Sequence, residues 1–179
     1  MKLRRVIESS LLLAGGFVLH QIMPPLVAGM KPDMSLLMLF IIVLLYQDKK
    51  LTILSGIVTG IVSALSTTFP GGQVANMVDK PITAIAVLGL VVLGNHFNLP
   101  RRFSLAIIGA LGTIISGSLF LGTASLIVAL PESFFVFFIS VVVPAALLNT
   151  SFLYMLYPII AKIKGLLPKI EFDSGKEIV

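Results

Sequence analysis

Cysteine is absent from these 179 residues, and so is tryptophan. The first absence excludes a disulfide framework and thiolate metal sites, and says nothing of redox compartment. The second leaves the chain without indole fluorescence of its own. Charge is scarce, at 12% of residues. There is no Walker A motif, no HExxH, no Ser/His nucleophile arrangement and no chain of buried acids of the kind that drives proton pumps. These absences exclude a recognisable catalytic constellation and an energy-coupling device, so neither an enzyme nor a cofactor or metal site is expected. Low-complexity segments and obvious repeats are missing as well.

What is present is apolar. Hydrophobic residues make up 57% of the chain, and the mean hydropathy is +1.07. A soluble domain of this size needs a polar exterior and cannot hide that much apolar surface. A lipid bilayer removes the requirement. The expected fold class is therefore an all-α membrane protein. A spanning helix needs about 20 apolar residues, and polar punctuation divides the sequence into six candidates. They run from Val6 to Met23, Met34 to Tyr46, Leu51 to Phe69, Pro81 to Phe97, Phe103 to Leu130 and Ser133 to Ile163. The basic start and long apolar run of the first read as a span rather than a cleaved signal peptide. Residues 1–165 form one six-helix domain and 166–179 a short mixed-charge tail.

The second candidate is short. Its apolar stretch reaches roughly 20 Å as a helix, against a hydrocarbon core of about 30 Å. Either it starts earlier, within Leu26 to Met30, or the segment Pro24 to Asp33 folds into the protein over a cavity. Pro81 suits the first turn of the fourth helix. Pro144, in mid-span, predicts a kink in the sixth.

Lysine and arginine orient the bundle. With the N-terminus in the cytoplasm, the inner segments hold 11 of the 13 basic residues and the outer loops only Lys31 and Lys80. Six spans also return the basic C-terminal cluster to the cytoplasm. The net charge of +5 is thus a topology signal, and a nucleic-acid partner is not expected.

Five charges remain on the outer side: Lys31, Asp33, Asp79, Lys80 and Glu132. Four form two close acid–base pairs, which suits a zwitterion such as an amino acid. A carboxylate would take the ammonium, and a lysine or backbone N–H groups the carboxylate. The plainer alternative is that these charges cap helices or pair across the interface. Gly29, Gly71 and Gly72 could bring backbone N–H groups to a ligand, although Gly71-Gly72 after Pro70 also suits a simple turn. Phe69, Met30, Met34, Met77, Phe134 and Phe135 flank the polar cluster and could wall an aromatic ligand. Asn149 must face protein rather than lipid. At about 24 Å down the sixth helix, helix packing explains it better than a ligand. His20 reads as a structural hydrogen bonder. Small residues recur at four-residue spacing in Gly56–Gly60, Gly112–Ser116 and Ser10–Ala14, which allows close helix approach either internally or toward a partner.

The segments His20-Gln-Ile-Met-Pro-Pro25, Gly29-Met-Lys-Pro-Asp-Met34, Gly56-Ile-Val-Thr-Gly60, Phe69-Pro-Gly-Gly-Gln73, Asn76-Met-Val-Asp-Lys-Pro81 and Val143-Pro-Ala-Ala-Leu-Leu-Asn149 together resemble the TrpP family of bacterial tryptophan transport proteins. The resemblance runs from about Ser9 to Pro158. It implies an S-component: a six-helix, membrane-embedded binding subunit of an energy-coupling-factor (ECF) transporter in the bacterial cell membrane. Its partners would be a coupling transmembrane subunit and two cytoplasmic ATPases, and its ligand L-tryptophan. Asp33 or Asp79 would then hold the ammonium, and Lys31 or Lys80 the carboxylate. Phe69, Gly71, Gly72, Asn76 and Asn149 complete the candidate contacts. Ser10 and Ala14 would match an AxxxA-type surface for the coupling subunit, with serine in place of the first alanine. Alternatives are an S-component for another aromatic or vitamin-like solute, a non-transporting assembly subunit, and a solitary secondary transporter, for which six helices are few.

Overall fold

A computed structural model describes residues 2–24, 33–128 and 133–166. Its elements follow from local chemistry. α1 (Leu3–Ile22) carries Arg4, Arg5 and Glu8 in its first turns and is apolar beyond them. α2 (Met34–Tyr46) starts where the Asp33 carboxylate accepts the Leu36 N–H at 3.0 Å, an N-cap that satisfies one of the helix's orphan donors. It stops at Gln47, which turns into the left-handed region (φ 48°). α3 (Lys49–Ser66) is capped in the same way by Asp48, which accepts from Leu51 at 3.1 Å. α4 (Gly72–His96) follows Gly71, whose φ of 71° is open to glycine at no steric cost. α5 spans Arg101–Ile127. The last span, called α6 throughout, is continuous but irregular. It begins at Ser133 with α-helix at Phe134–Phe137, widens into a π-helical turn at Phe138–Val142, and runs on as α-helix over Val143–Leu166.

Among the described residues four helices (α3 to α6) are long and apolar enough to cross a membrane by length and composition; α1, with its charged first turns, and the shorter α2 fall outside that set. α2 also stands apart in position. It packs against each of the other five helices, and Met34 to Leu44 are all buried. A helix sheathed on every side has no polar face to show, which accounts for its unbroken apolar sequence. The outer surfaces of the other helices are also apolar. Leu65, Phe135 and Leu147 are among the exposed side chains, as a lipid-facing exterior requires.

The glycine spacings serve internal packing. A Cβ on Gly56 would lie 2.8 Å from Ala84 Cβ and 3.0 Å from Pro81 Cα, and one on Gly60 would lie 3.0 Å from the Asn76 carbonyl oxygen. The α3 pair therefore seats α4. On α5, Gly112 makes room for the Phe40 ring of α2 and Gly109 for Thr150 of α6. At the basic end, Arg5 pairs with Asp48 at 3.6 Å, Tyr46 donates to Glu8, Lys164 lies over the Tyr46 ring, and Tyr154 donates to the Arg102 carbonyl. The charged ends of α1, α3, α5 and α6 thus meet at one end of the bundle, where the lysine and arginine count puts the cytoplasm.

Two expectations change. α4 starts at Gly72 rather than at Pro81, which lies inside the helix. Its missing N–H leaves a helical carbonyl without its bond, yet the close fit of Gly56 under the Pro81 backbone holds the helix together there. Asn76, Asp79 and Lys80 are consequently helical residues inside the bundle, not loop residues. α2 starts at Met34, so the shorter reading of the second span holds. The lead-in through Lys31 lies outside the described residues. In α6 the distortion falls just ahead of Pro144. That proline cannot donate to the preceding turn, and the turn widens to accommodate it.

Candidate functional site

Helical spacing assembles the site. Asn76, Asp79, Lys80 and Thr83 lie at i, i+3, i+4 and i+7 of α4, on one face. Thr113, Ser116, Gly117, Phe120 and Leu121 do the same on α5. These faces meet Asp33 at the start of α2, and between them lies a cavity of about 430 Å³. That is within the range of small-molecule sites, about 300–1,000 Å³. His20 of α1, Ser63 and Ser66 of α3, Phe69, and Phe137, Val142 and Asn149 of α6 complete its walls.

The polar floor is a closed network. Lys80 Nζ lies 2.8 Å from Asp79 Oδ2, 3.1 Å from Ser116 Oγ and 3.3 Å from Asp33 Oδ2. Asp79 is fully buried. Its carboxylate accepts from Thr83 at 2.7 Å on one oxygen and from Ser116 at 2.8 Å on the other. Such an arrangement is what makes a buried charge tolerable at all, since an unpaired one in a low dielectric is prohibitive. Asp33 is held differently. Its backbone N–H donates to Asn149 Oδ1 at 3.0 Å, and one carboxylate oxygen caps α2 while the other meets Lys80. His20 Nδ1 stands 4.0 Å from the capping oxygen. Asn149 in turn donates to Thr113 Oγ1 at 3.2 Å. The formal charge of Asp33, Asp79 and Lys80 together is −1.

The opposite wall is aromatic. Phe69 meets Phe120 edge-on at 5.3 Å between ring centroids and Phe137 at 6.1 Å. Asn76 spends its amide N–H groups on the Gly72 carbonyl at 2.9 Å and the Ser63 carbonyl at 3.4 Å, which fixes the side chain against α3. Ser66 donates its hydroxyl hydrogen back to its own helix, leaving oxygen lone pairs as acceptors.

Of the sequence-derived candidates, Asp33, Phe69, Asn76, Lys80 and Asn149 line the cavity. Asp79 lies behind Lys80, Gly71 forms the turn before α4, and Gly72 packs on Thr67. Lys31 lies outside the described residues. Met34 is in the core and Met77 and Phe135 are exposed. Ser10 and Ala14 are both on the exposed side of α1. The sequence marks Ser116 only as a small residue four from Gly112, open to internal or partner packing, and does not single out Thr113, Phe120 or Phe137 for the site. The three-and-four spacing of the α5 residues is the available signal. Among the described residues no cluster of His, Cys, Asp and Glu could hold a metal ion.

Comparison with known proteins finds relatives over most of the chain. A "Probable tryptophan transport protein" of Bacillus subtilis (strain 168) is 44% identical over 164 residues, covering 91% of this chain and 94% of that protein. Proteins of the same description from Clostridium perfringens and Clostridium acetobutylicum are 46% and 48% identical, covering 86% and 83% of this chain and 89% and 86% of their own lengths. No solved structure gives a significant match. Residues 2–164 match the family described as "Tryptophan transporter TrpP". This multi-pass bacterial membrane protein, nearly its whole length included in the match, belongs to the TrpP family of tryptophan transporters.

Proposed function

We propose that this chain is the membrane-embedded binding subunit for uptake of L-tryptophan, working as an S-component with an ECF module that hydrolyses ATP. The observation that carries the binding role is one cavity of about 430 Å³ with an acid and a base on its floor and three phenylalanines on its wall. An α-amino acid needs a carboxylate and an ammonium a few ångströms apart, and an indole needs flat apolar walls. Lys80, Asp33 and the Phe69–Phe120–Phe137 group meet both needs. The family membership and the relatives' description as probable tryptophan transport proteins support the choice of ligand.

In this reading ATP hydrolysis belongs to the ECF partners, consistent with a sequence in which no nucleotide-binding motif is recognisable. The exposed small residues Ser10 and Ala14 on α1 offer the coupling subunit a close approach.

Titration of the purified protein with L-tryptophan tests the binding role. The chain has no tryptophan, so the ligand's own emission reports binding. Saturable binding at micromolar ligand is expected, with tyrosine, indole and vitamins competing weakly. No binding overturns the proposed ligand. Reconstitution tests the coupling. Uptake into vesicles is expected only with the coupling subunit and ATPases present, and uptake without them identifies a solitary transporter instead.

A further inference from the structure

From the three oxygens packed around Lys80 and their unequal burial we infer that tryptophan binds by exchange: its amino acid group inserts between Asp33 and Lys80, breaking their bond, while Asp79 stays as the fixed counter-ion of Lys80. The inference rests on the proposed ligand and goes beyond it to the manner of recognition. The Lys80 ammonium donates to Ser116 and to Asp33, and the Asp79 carboxylate lies against it at 2.8 Å as an ion pair. With three oxygens already packed around Nζ, a ligand carboxylate reaches Lys80 by displacing one of them.

Geometry selects which. The Asp79 contact is the shortest, at 2.8 Å, and that carboxylate is fully buried with Thr83 and Ser116 also bonded to it. Ser116 is locked into the same network. The Asp33 contact is the longest, at 3.3 Å, and the Asp33 side chain is 30% exposed, against 5% for Lys80. Asp33 also lines the cavity, and it keeps its N-cap bond to Leu36 and its backbone bond to Asn149 when Lys80 leaves. On exchange, the ligand ammonium takes the Asp33 oxygen that Lys80 vacates, and the ligand carboxylate takes the freed Lys80 hydrogen. One ion pair becomes two, and a zwitterion leaves the formal charge of −1 unchanged.

This charge makes the two halves of the ligand unequal. A cationic analogue neutralises the site, whereas an anionic one raises its charge to −2. The ammonium is the indispensable half. Binding to the purified full chain is measured for L-tryptophan, tryptamine and indole-3-propionate, using their indole emission. On the wild type, tryptamine is expected to bind at least tenfold more tightly than indole-3-propionate. Asp33→Asn keeps an N-capping side chain but frees Lys80 and removes the ammonium's partner. That variant is expected to lose tryptophan affinity at least tenfold and to reverse the order of the two analogues. If the variant does not fold, the wild-type order alone decides. Indole-3-propionate equalling or exceeding tryptamine on the wild type overturns the exchange, as does an unchanged order in Asp33→Asn. Failure of the wild type to bind tryptophan at all overturns the proposed function itself, and this inference with it.

Discussion

A lysine in a bilayer interior needs its counter-charges built in, and Asp79 is the one that never leaves Lys80. Removing one partner of a buried ion pair costs about 3–5 kcal/mol when the other charge is stranded; in Asp79→Ala, Asp33 still stands beside Lys80, so the loss is smaller than that. Asp79→Ala is thus expected to unfold at lower denaturant than the wild type in detergent-micelle titrations. Unchanged stability would strip Asp79 of this role. Asp48 offers a milder and pH-dependent case outside the spans. The Leu51 N–H at the start of α3, assisted by Arg5, holds the Asp48 carboxyl below the usual carboxylate range. A carboxylate lowered on folding stabilises fully above its unfolded pKa of about 3.9, and its contribution fades as pH falls through the lower folded value. Wild type and Asp48→Asn should differ in melting temperature near neutral pH and converge in strong acid. A gap that is constant with pH would refute the assignment.

At the scale of elements, the α3–α4 seam decides where the site stands, because Gly56 and Gly60 bring α4 in at the turn that carries Asn76 and Lys80. Over-packing a tight contact costs about 1–3 kcal/mol. Gly56→Val should be destabilised by that amount and should lose ligand binding, whereas Gly89→Val, where a Cβ meets nothing within 4 Å, should match the wild type. Equal unfolding curves for the two would show the seam to be slack. This is also where sequence reading met its limit. The end of α2 was legible from its apolar run, but its start was open between Leu26 and Met34 until the Asp33 cap was seen. The start of α4 was not legible, because Pro81 reads as a first-turn residue unless its surroundings are known. That one displacement turned Asp79 and Lys80 from helix residues into apparent loop charges. Depth along α6 argues against a ligand role for Asn149, but α2 begins at the same level, and the residue lines the cavity. The Asp79–Lys80 pairing was readable because the two are neighbours in the chain; the contact of Lys80 with Asp33 was not, because it joins residues 47 apart. The hydroxyls of α5 were not, since Ser116 differs from a packing serine only by the neighbour it meets.

For the whole molecule, the basic clusters of α1, α3, α5 and α6 gather at one end and the cavity lies in the half away from them. The orientation is testable in a chain that has no cysteine of its own. A membrane-impermeant maleimide applied to intact cells should label Thr68→Cys and spare Lys50→Cys and Arg102→Cys, and the reverse pattern would invert the topology. The central position of α2 has a further consequence, for biosynthesis. As the second helix made, α2 leaves the ribosome before four of the five helices that will sheath it. Its uniform apolarity lets it wait in lipid without penalty, but the ion pair between Asp33 at its head and Lys80 forms only when α4 arrives. Synthesis order therefore makes the arrival of α4 the step that closes the polar floor, since Asp79 and Lys80 come with it.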